Sequence, residues 1–197
     1  DHLIDGDQAY YIRLRTSSND NAYNGKDIWI EGKSIDANTA GFRFNSSGTS
    51  VSEDETPIEI GLSLTSIPSA QVDVVLSSSN KYEMVASPDK MTFTPENWDQ
   101  EQKITVKGID DVVVDGDKVS ELVLKAVSED KNFNIEDKVE ITTLDNDKAE
   151  IIVAAKGVAI SENTDETIKF DVMLSAQPDE AVRIKLTSSD ESELKIY

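Results

Sequence analysis

The side chains with the clearest chemical potential in this sequence are carboxylates that flank hydrophobic, alternating segments. Asp and Glu total 39 of 197 residues against 19 Lys and Arg, a formal net charge of −20. Carboxylate oxygens are the ligands that hard divalent cations prefer, and calcium takes about six to eight oxygens in flexible geometry. We therefore predict a calcium site, with candidate ligands Glu53, Asp110, Asp111, Asp115, Asp117, Asp145 and Asp147.

Composition excludes several other kinds of site. The chain has no cysteine, which excludes disulfides, thiol nucleophiles and Cys-ligated zinc. Its one histidine, His2, cannot build a His-based triad or a multi-His metal site. No Gly-rich phosphate loop or nucleophile elbow occurs, and residues 111–117 lack the EF-hand spacing. We expect a protein that is not an enzyme.

The charge and the hydropathy of the chain limit its partners. A chain with net charge −20 is repelled by nucleic acids and by anionic lipid. The sequence contains no run of 18 apolar residues, the length that would predict a membrane span. No signal peptide is visible either, so we expect that any targeting segment was removed or lies upstream. The apolar residues, 38% of the chain, alternate in order, which argues against disorder. We expect neither nucleic-acid binding nor membrane insertion.

The sequence repeats itself at an interval of about 110 residues. Asp5-Gly6-Asp7 recurs as Asp115-Gly116-Asp117, and Val51-Ser52-Glu53 recurs as Ile160-Ser161-Glu162. These matches predict one complete copy at 41–148, the C-terminal part of a preceding copy at 1–40 and the N-terminal part of a following copy at 149–197. Boundaries near 1–108 and 109–197 are the alternative.

Each copy alternates apolar and polar residues over short segments separated by turn residues, which predicts strands and no helix. We expect an all-β fold in which each unit is an immunoglobulin-like, seven-stranded antiparallel sandwich and the units form tandem repeats. The predicted strands A to G of the complete copy cover 42–51, 58–64, 72–76, 91–93, 103–106, 122–126 and 139–142.

Strand order sorts the loops between the two ends of such a sandwich. Because consecutive antiparallel strands alternate in direction, the A–B, C–D and E–F loops share one end with the segment leaving strand G. All seven candidate ligands fall in these segments, so we expect them to converge at the end that adjoins the next unit. A cation bound there would clamp the junction and make the array a rigid spacer.

Several of these segments together resemble Calx-beta repeats. The residues that carry the resemblance are Gly108-Ile109-Asp110-Asp111, the Asp-Gly-Asp after it, the Asp145-Asn146-Asp147 exit and the Ser-Glu before strand B. Residues 92–98 followed by 102–106 are similar to the variant of long bacterial surface and adhesin-like proteins. The resemblance implies a calcium-binding repeat of an extracellular, cell-surface protein, with neighbouring repeats and a host-surface or matrix ligand as partners.

The resemblance also implies which residues hold calcium. In the complete copy the family positions are Glu53, Asp110, Asp111, Asp145 and Asp147; the third copy offers Glu162, and the first offers Asp1 and Asp36. The chain departs from the family pattern at two places. Asn80 stands where many members have Asp, although Asp190 keeps the acid in the third copy. Asn38 replaces the equivalent of Asp147, so a weaker site is expected in the first copy.

Aromatic residues leave a second function open, a lectin-like module that binds carbohydrate or protein. Trp98 is expected to cap the core beside Pro95, whereas alternation leaves the orientation of Trp29 undecided. Tyr10, Tyr11 and Tyr23 lie near Trp29 in sequence. The incomplete copies at 1–40 and 149–197 would each expose half a core, which predicts that they complement one another head to tail between chains or stay partly disordered.

Overall fold

The computed structural model describes residues 1–46, 48–54, 56–156, 159–161, 167–194 and 196, and in this part of the chain regular structure is almost entirely β-strand. The strands, in chain order β1 to β13, are Gln8–Arg15, Asp27–Ser34, Phe42–Ser46, Ser50–Ser52, Ile58–Leu64, Val72–Ser78, Met84–Ser87, Lys90–Phe93, Gln102–Gly108, Lys118–Ser128, Glu136–Leu144, Ile151–Lys156 and Lys169–Leu174. A single 3-10 turn, Lys131–Phe133, lies between β10 and β11. The prediction of an all-β protein is confirmed. No helix among the described residues has the length and apolar character needed to cross a membrane.

Strands β3 to β11 form two sheets that enclose one hydrophobic core. One sheet has the order β4-β11-β10-β6-β8 and the other the order β3-β5-β9-β7. Side chains at alternate positions point inward, as in Val72, Val74 and Leu76 of β6, and both sheets contribute to a single buried cluster. This is a sandwich-like arrangement, and its largest fully buried side chains are Phe93 and Phe133.

The strand list differs from the predicted seven in two ways. The segment assigned to strand A is divided between β3, which pairs with β5, and β4, which pairs in parallel with β11. A strand absent from the prediction, β7, pairs with β9. After β6 the chain therefore joins the second sheet at β7 and returns to the first at β8. Both missed elements have four residues or fewer, too short for a visible period of two.

Two hairpins flank this sandwich. β1 pairs with β2 in a register that places Ile12 opposite Ile30, and β12 pairs with β13 with Val153 opposite Val172. Shifted by the sequence offset, these registers equal those of β10 with β11, where Leu122 faces Val139, and of β3 with β5. Both hairpins carry exposed apolar side chains.

Asp130 lies at the end of the sandwich opposite to β4 and Glu53, where it joins two loops by hydrogen bonds. Its carboxylate accepts hydrogen bonds from the Ser69 amide (2.8 Å), the Ser69 hydroxyl (2.9 Å) and the Asn132 amide (3.0 Å). It thereby caps the turn that carries buried Phe133 and ties it to the loop between β5 and β6. Burial alone would raise the pKa of Asp130, but these hydrogen bonds outweigh burial and hold the pKa below its usual value.

We expect Asp130→Ala to lower the free energy of unfolding by about 2 kcal/mol, because it removes hydrogen bonds to a charged acceptor together with a cap. A urea midpoint measured at constant m value reports this loss. Because a lowered pKa stabilises the fold only while the carboxyl is ionised, the difference from wild type should shrink as pH falls below about 4. Asp20→Ala is the matched control: Asp20 is exposed and accepts from the Ala22 amide in the first hairpin. Equal losses in both variants would contradict the tie between the loops.

Candidate metal site

The site begins at Glu53, the residue that follows β4. The parallel pairing of β4 with β11 places Ser52 beside Leu144, and the Glu53 amide donates to the Leu144 carbonyl oxygen at 3.3 Å. Gly108, the last residue of β9, lies so close that a Cβ on it would stand 2.9 Å from the carbonyl carbon of Ser52. Three strands therefore hold the Glu53 backbone in place, and its side chain is only 3% exposed.

Asp145 and Asp147 follow β11 and are shaped by the loop between β9 and β10. The Asp145 carboxylate accepts from the amides of Asp115 (3.0 Å), Gly116 (2.7 Å) and Asp147 (2.8 Å). In return the Asp145 amide donates to the Asp117 carboxylate at 3.1 Å. Gly116 has φ of 74°, a conformation that residues with a side chain rarely adopt. These bonds order the chain from 145 to 147 beside Glu53.

Glu53, Asp145 and Asp147 together can hold a metal ion. Each offers one carboxylate oxygen, and the three oxygens lie within 4.8 Å of one another. Glu53 Oε2 and Asp147 Oδ2 are buried and have no hydrogen-bond partner. A buried carboxylate oxygen without a partner is costly unless a proton or a cation neutralises it. The arrangement therefore calls for positive charge at this position.

The pKa values of the three carboxylates reflect the same burial and mutual repulsion. Burial, together with the negative charges of Asp111, Asp145 and Glu83, raises the pKa of Glu53 although the Asn146 amide opposes it. Burial and then four neighbouring aspartates raise the pKa of Asp147. Hydrogen bonds from the amides of Asp147, Gly116 and Asp115 instead hold the pKa of Asp145 below its usual value. Asp145 is thus the carboxylate of the trio that ionises most readily, and its negative charge disfavours ionisation of Glu53 and Asp147.

The remaining predicted ligands lie around this trio. Asp111 stands close enough to raise the pKa of both Glu53 and Asp147, and it also caps its own turn through the Val113 amide at 2.7 Å. Asp110 is exposed, and its negative charge also raises the pKa of Asp147. Asp115 pairs with Lys118 at 3.2 Å, and Asp117 supports the Asp145 amide. The structure thus places Glu53, Asp145 and Asp147 at the centre, Asp110 and Asp111 beside them, and Asp115 and Asp117 in contacts with other residues.

Sequence reasoning missed Glu83. This residue precedes β7, and its carbonyl oxygen accepts from the Ile109 amide at 2.9 Å. Burial, and then the charges of Asp115 and Asp111, raise the pKa of Glu83, and Glu83 in turn acts on Glu53. A signal was present, because Glu193 stands at the same place in the third copy. Asn80, in the same loop at the position where many members of the Calx-beta pattern have Asp, accepts a hydrogen bond from the Tyr82 amide.

Comparison with known proteins adds little to this geometry. No protein-family model matches the chain, and no curated protein matches it. Among solved structures the chain is similar to the chaperone DraB of E. coli, with a TM-score of 0.38 and 5% sequence identity. The similarity covers 53% of this chain and about half (54%) of the chaperone's.

The first copy reproduces the loop but not the unpartnered carboxylates. Asp36 accepts from the Gly6 and Asn38 amides, each at 2.8 Å, and its own amide donates to Asp7 at 2.9 Å. At the position of Asp147, the Asn38 side-chain amide donates to the carbonyl oxygen of Leu3 at 3.0 Å. Asp1 is exposed. Glu162, the candidate ligand of the third copy, lies outside the described residues.

The metal site adjoins the residues that follow it in the chain. The carbonyl oxygen of Val112 accepts from the Gln177 amide at 2.6 Å, and Val113 forms a parallel bridge with Gln177. The Glu150 amide donates to the Ser175 hydroxyl at 2.7 Å. Leu3 and Ile67 form the equivalent bridge near the start of the chain. Both segments that carry the candidate ligands, 110–117 and 145–147, therefore continue directly into contacts with residues 175–177.

Trp98 packs against the hydrophobic core. It is partly buried, its carbonyl oxygen accepts from the Leu64 amide at 2.8 Å, and its ring lies 5.2 Å from that of His2. Trp29, in contrast, is 59% exposed. The two tryptophans thus have different surroundings, and only Trp29 presents most of its surface to solvent.

Proposed function

We propose that the chain is a calcium-binding structural unit of an extracellular, cell-surface protein, in which bound calcium stiffens the junction between successive units. The observation that carries the proposal is the trio Glu53, Asp145 and Asp147, whose carboxylates bring one oxygen each to within 4.8 Å of one another. Two of these carboxylates, on Glu53 and Asp147, each have a buried oxygen without a hydrogen-bond partner. A catalytic role has no comparable support, and we assign the site a structural one.

The choice of calcium rests on size and on donor type. All candidate donors are oxygens, the ligands of hard cations. Calcium–oxygen distances of about 2.3–2.6 Å allow two ligands on opposite sides of one ion to lie about 4.6–5.2 Å apart. Magnesium demands near-ideal octahedral geometry and keeps several waters, so proteins usually bind it through one or two carboxylates. Glu83, Asp110 and Asp111 stand nearby to complete a coordination shell of about six to eight oxygens.

The spacer role rests on the position of the site. The loop 110–117 contributes acids to the site and also pairs with Gln177 through Val112 and Val113. A cation that draws Asp111, Asp145 and Glu53 together would therefore order the segment that contacts the next unit. Tandem repetition of this unit is supported by the shared registers of the hairpins and by the recurring hydrogen bonds of Asp36 and Asp145.

A calcium titration by isothermal calorimetry tests the proposal. We expect the full chain, first stripped of metal with a chelator, to bind calcium. Asp147→Asn should weaken the calcium affinity by about tenfold or more, because an amide nitrogen that donates would replace a carboxylate oxygen. Asp36→Asn, which changes the equivalent loop of the first copy, should leave the titration nearly unchanged.

Three results would each contradict part of this expectation. Absence of heat and of any conformational change at millimolar calcium would remove the metal site. Equal effects of the Asp147 and Asp36 substitutions would show that calcium binds the acidic surface in general. A stronger response to magnesium than to calcium would replace the assigned ion while preserving the site.

The two flanking pieces also suggest a second copy of the chain as a partner. The inward-type face of β1–β2 (Ile12, Leu14, Ile30) and that of β12–β13 (Val153, Val172) are counterparts of the two layers of the central sandwich. We expect light scattering to show a molecular mass that rises with concentration, because burial of these faces against each other is favourable. Ile12→Asp should abolish the rise, whereas Val119→Asp, at an exposed site in the central unit, should not. A monomer at all concentrations would refute this association.

A further inference from the structure

The first hairpin has two faces of different character. On one face Ile12 lies opposite Ile30, and Leu14 opposite Ile28. Ile12 and Leu14 correspond to the core residues Leu122 and Leu124 of the central sandwich, and Ile30 corresponds to Val139, which packs against that core. Because side chains alternate along a strand, the other face carries the neighbours of these residues. There Tyr11 lies opposite Glu31 and Arg13 lies opposite Trp29. The register thus settles the orientation of Trp29, which points away from the core-type face.

The two aromatic side chains of this outer face are well exposed. Tyr11 is 61% and Trp29 is 59% exposed. In the central unit the same register positions hold Glu121 and Lys138, which form an ion pair on the solvent side of β10 and β11. The exposure of Tyr11 and Trp29 therefore belongs to the solvent side of the sheet and does not depend on whether the core-type face is covered.

Arginines surround the tryptophan. The Arg13 guanidinium lies 5.4 Å from the centre of the Trp29 ring and 2.7 Å from the Asp27 carboxylate. Arg15 lies 3.8 Å from the same carboxylate, so two guanidinium groups share one negative charge. Together with Glu31 the outer face holds two arginines and two carboxylates, so its charge is balanced in a chain of net charge −20. The Arg15 side chain stays 66% exposed and keeps its guanidinium open to a ligand. The Arg13 contact also orders the indole ring, which lowers the entropic cost of stacking a ligand on it.

We propose that Tyr11, Trp29 and Arg15 form a binding platform for a saccharide that carries a carboxylate. Tyr11 and Trp29 are diagonal neighbours across the strand pair, about 7–8 Å apart by sheet geometry. The flat C–H face of a pyranose ring stacks on the electron-rich face of an indole or phenol ring. The carboxylate of a uronic or sialic acid pairs with the guanidinium of Arg15, and the hydroxyl groups bond to Glu31 and Arg13.

Other occupants fit this face less well. A nucleobase would also stack on Trp29, but the row of phosphates of a nucleic acid would extend beyond the platform over a chain of net charge −20. A glycan with one carboxylate instead places its single charge on Arg15. An apolar peptide needs a groove or a continuous apolar patch, and here charged residues alternate with the two rings. A carboxylated sugar combines a flat apolar face, a polar rim and one negative charge, which matches the three features of the platform.

The test is binding of the full chain to immobilised oligosaccharides, both neutral and carboxylated, followed by calorimetry with the strongest carboxylated glycan. We expect carboxylated glycans to bind, and Trp29→Ala or Tyr11→Ala to weaken binding by about tenfold or more, which corresponds to about 1.4 kcal/mol. Arg15→Gln should weaken binding of the carboxylated glycan and leave binding of its neutral analogue unchanged. Tyr82→Ala is the matched control, since Tyr82 is 73% exposed, has Lys81 5.2 Å from its ring and lies in the central unit.

Three results would overturn the proposal. The first is failure of every carboxylated glycan to bind, and the second is equal binding by the wild type and Trp29→Ala. The third is a Trp29 fluorescence shift that depends on protein concentration alone, because it would make this face a contact between copies of the chain. Calcium titration of Trp29→Ala separates this proposal from the metal site, because that variant should bind calcium as the wild type does.

Discussion

Replacing Glu53 with Gln is expected to stabilise the calcium-free protein and to remove most of the stabilisation that calcium gives the wild type. Without metal, the Glu53 carboxylate is buried with Oε2 unpartnered beside Asp145 and Asp147. A glutamine removes that charge, and its amide can donate to a neighbouring carboxylate. We expect the thermal midpoint of the variant in chelator to exceed that of the wild type by several degrees, for a gain of about 1–2 kcal/mol.

Calcium should reverse this order. A ligand that binds only the folded state at about 100 times its Kd stabilises it by about 2.7 kcal/mol, on the order of 10 °C for a domain near 100 residues. The wild type should therefore melt above the variant in calcium and below it in chelator. Scanning calorimetry of both proteins in both buffers measures the crossing.

The pH dependence of the same pair supplies an independent check. Because the pKa of Glu53 is raised in the folded state, the folded protein binds more protons than the unfolded chain and its stability falls as pH rises through that pKa. The advantage of Glu53→Gln in chelator should therefore shrink as pH is lowered from neutrality and Glu53 becomes protonated. Glu129→Gln removes the same charge from an exposed loop and should change neither midpoint. If the wild type were more stable than Glu53→Gln in chelator, the assignment of Glu53 as a buried, uncompensated metal ligand would be wrong.

Gly108→Ala should be among the most damaging single substitutions in the protein. The added Cβ would overlap the carbonyl oxygen of Ser52 and lie 3.2 Å from the Glu53 amide nitrogen. These are backbone atoms of the last residue of β4 and of the residue that follows it, and the pairing of β4 with β11 prevents them from moving away. We expect a loss of about 2–4 kcal/mol in the free energy of unfolding, measured by urea denaturation. Displacement of Glu53 should also reduce the calcium response.

Gly61→Ala is the control for this substitution. Gly61 also lies within a sheet, but the three atoms nearest to a Cβ there belong to the side chain of Glu101. Glu101 is exposed, so its side chain can turn away at the cost of one hydrogen bond from the Asn45 side-chain amide. Its effect should stay within about 1 kcal/mol, with calcium binding unchanged. Similar losses at positions 61 and 108 would attribute the effect to glycine replacement in strands, and would remove the role of Gly108 in positioning Glu53.

The sequence by itself determined the all-β character and most strand positions. Ile58–Leu64 was predicted in full, and Lys118–Ser128 in its central part, 122–126. Both were visible because apolar residues alternate with polar or small ones along each segment, a local property that needs no knowledge of the partner strand. The candidate carboxylates were likewise visible, since acids beside predicted strand ends can be read from order alone. Asp110 and Asp147 looked equivalent at that level.

Tertiary structure alone decided which of these groups are buried and unsatisfied. Glu53 is enclosed because the three-residue strand Ser50–Ser52 pairs in parallel with β11 and because Gly108 permits close approach. Glu83 joins the site through a strand too short to show alternation, and Trp29 faces outward because of its register with Arg13. Burial and hydrogen-bond satisfaction are sums over neighbours from distant parts of the chain, whereas a local pattern specifies only the side of its own strand on which a residue lies.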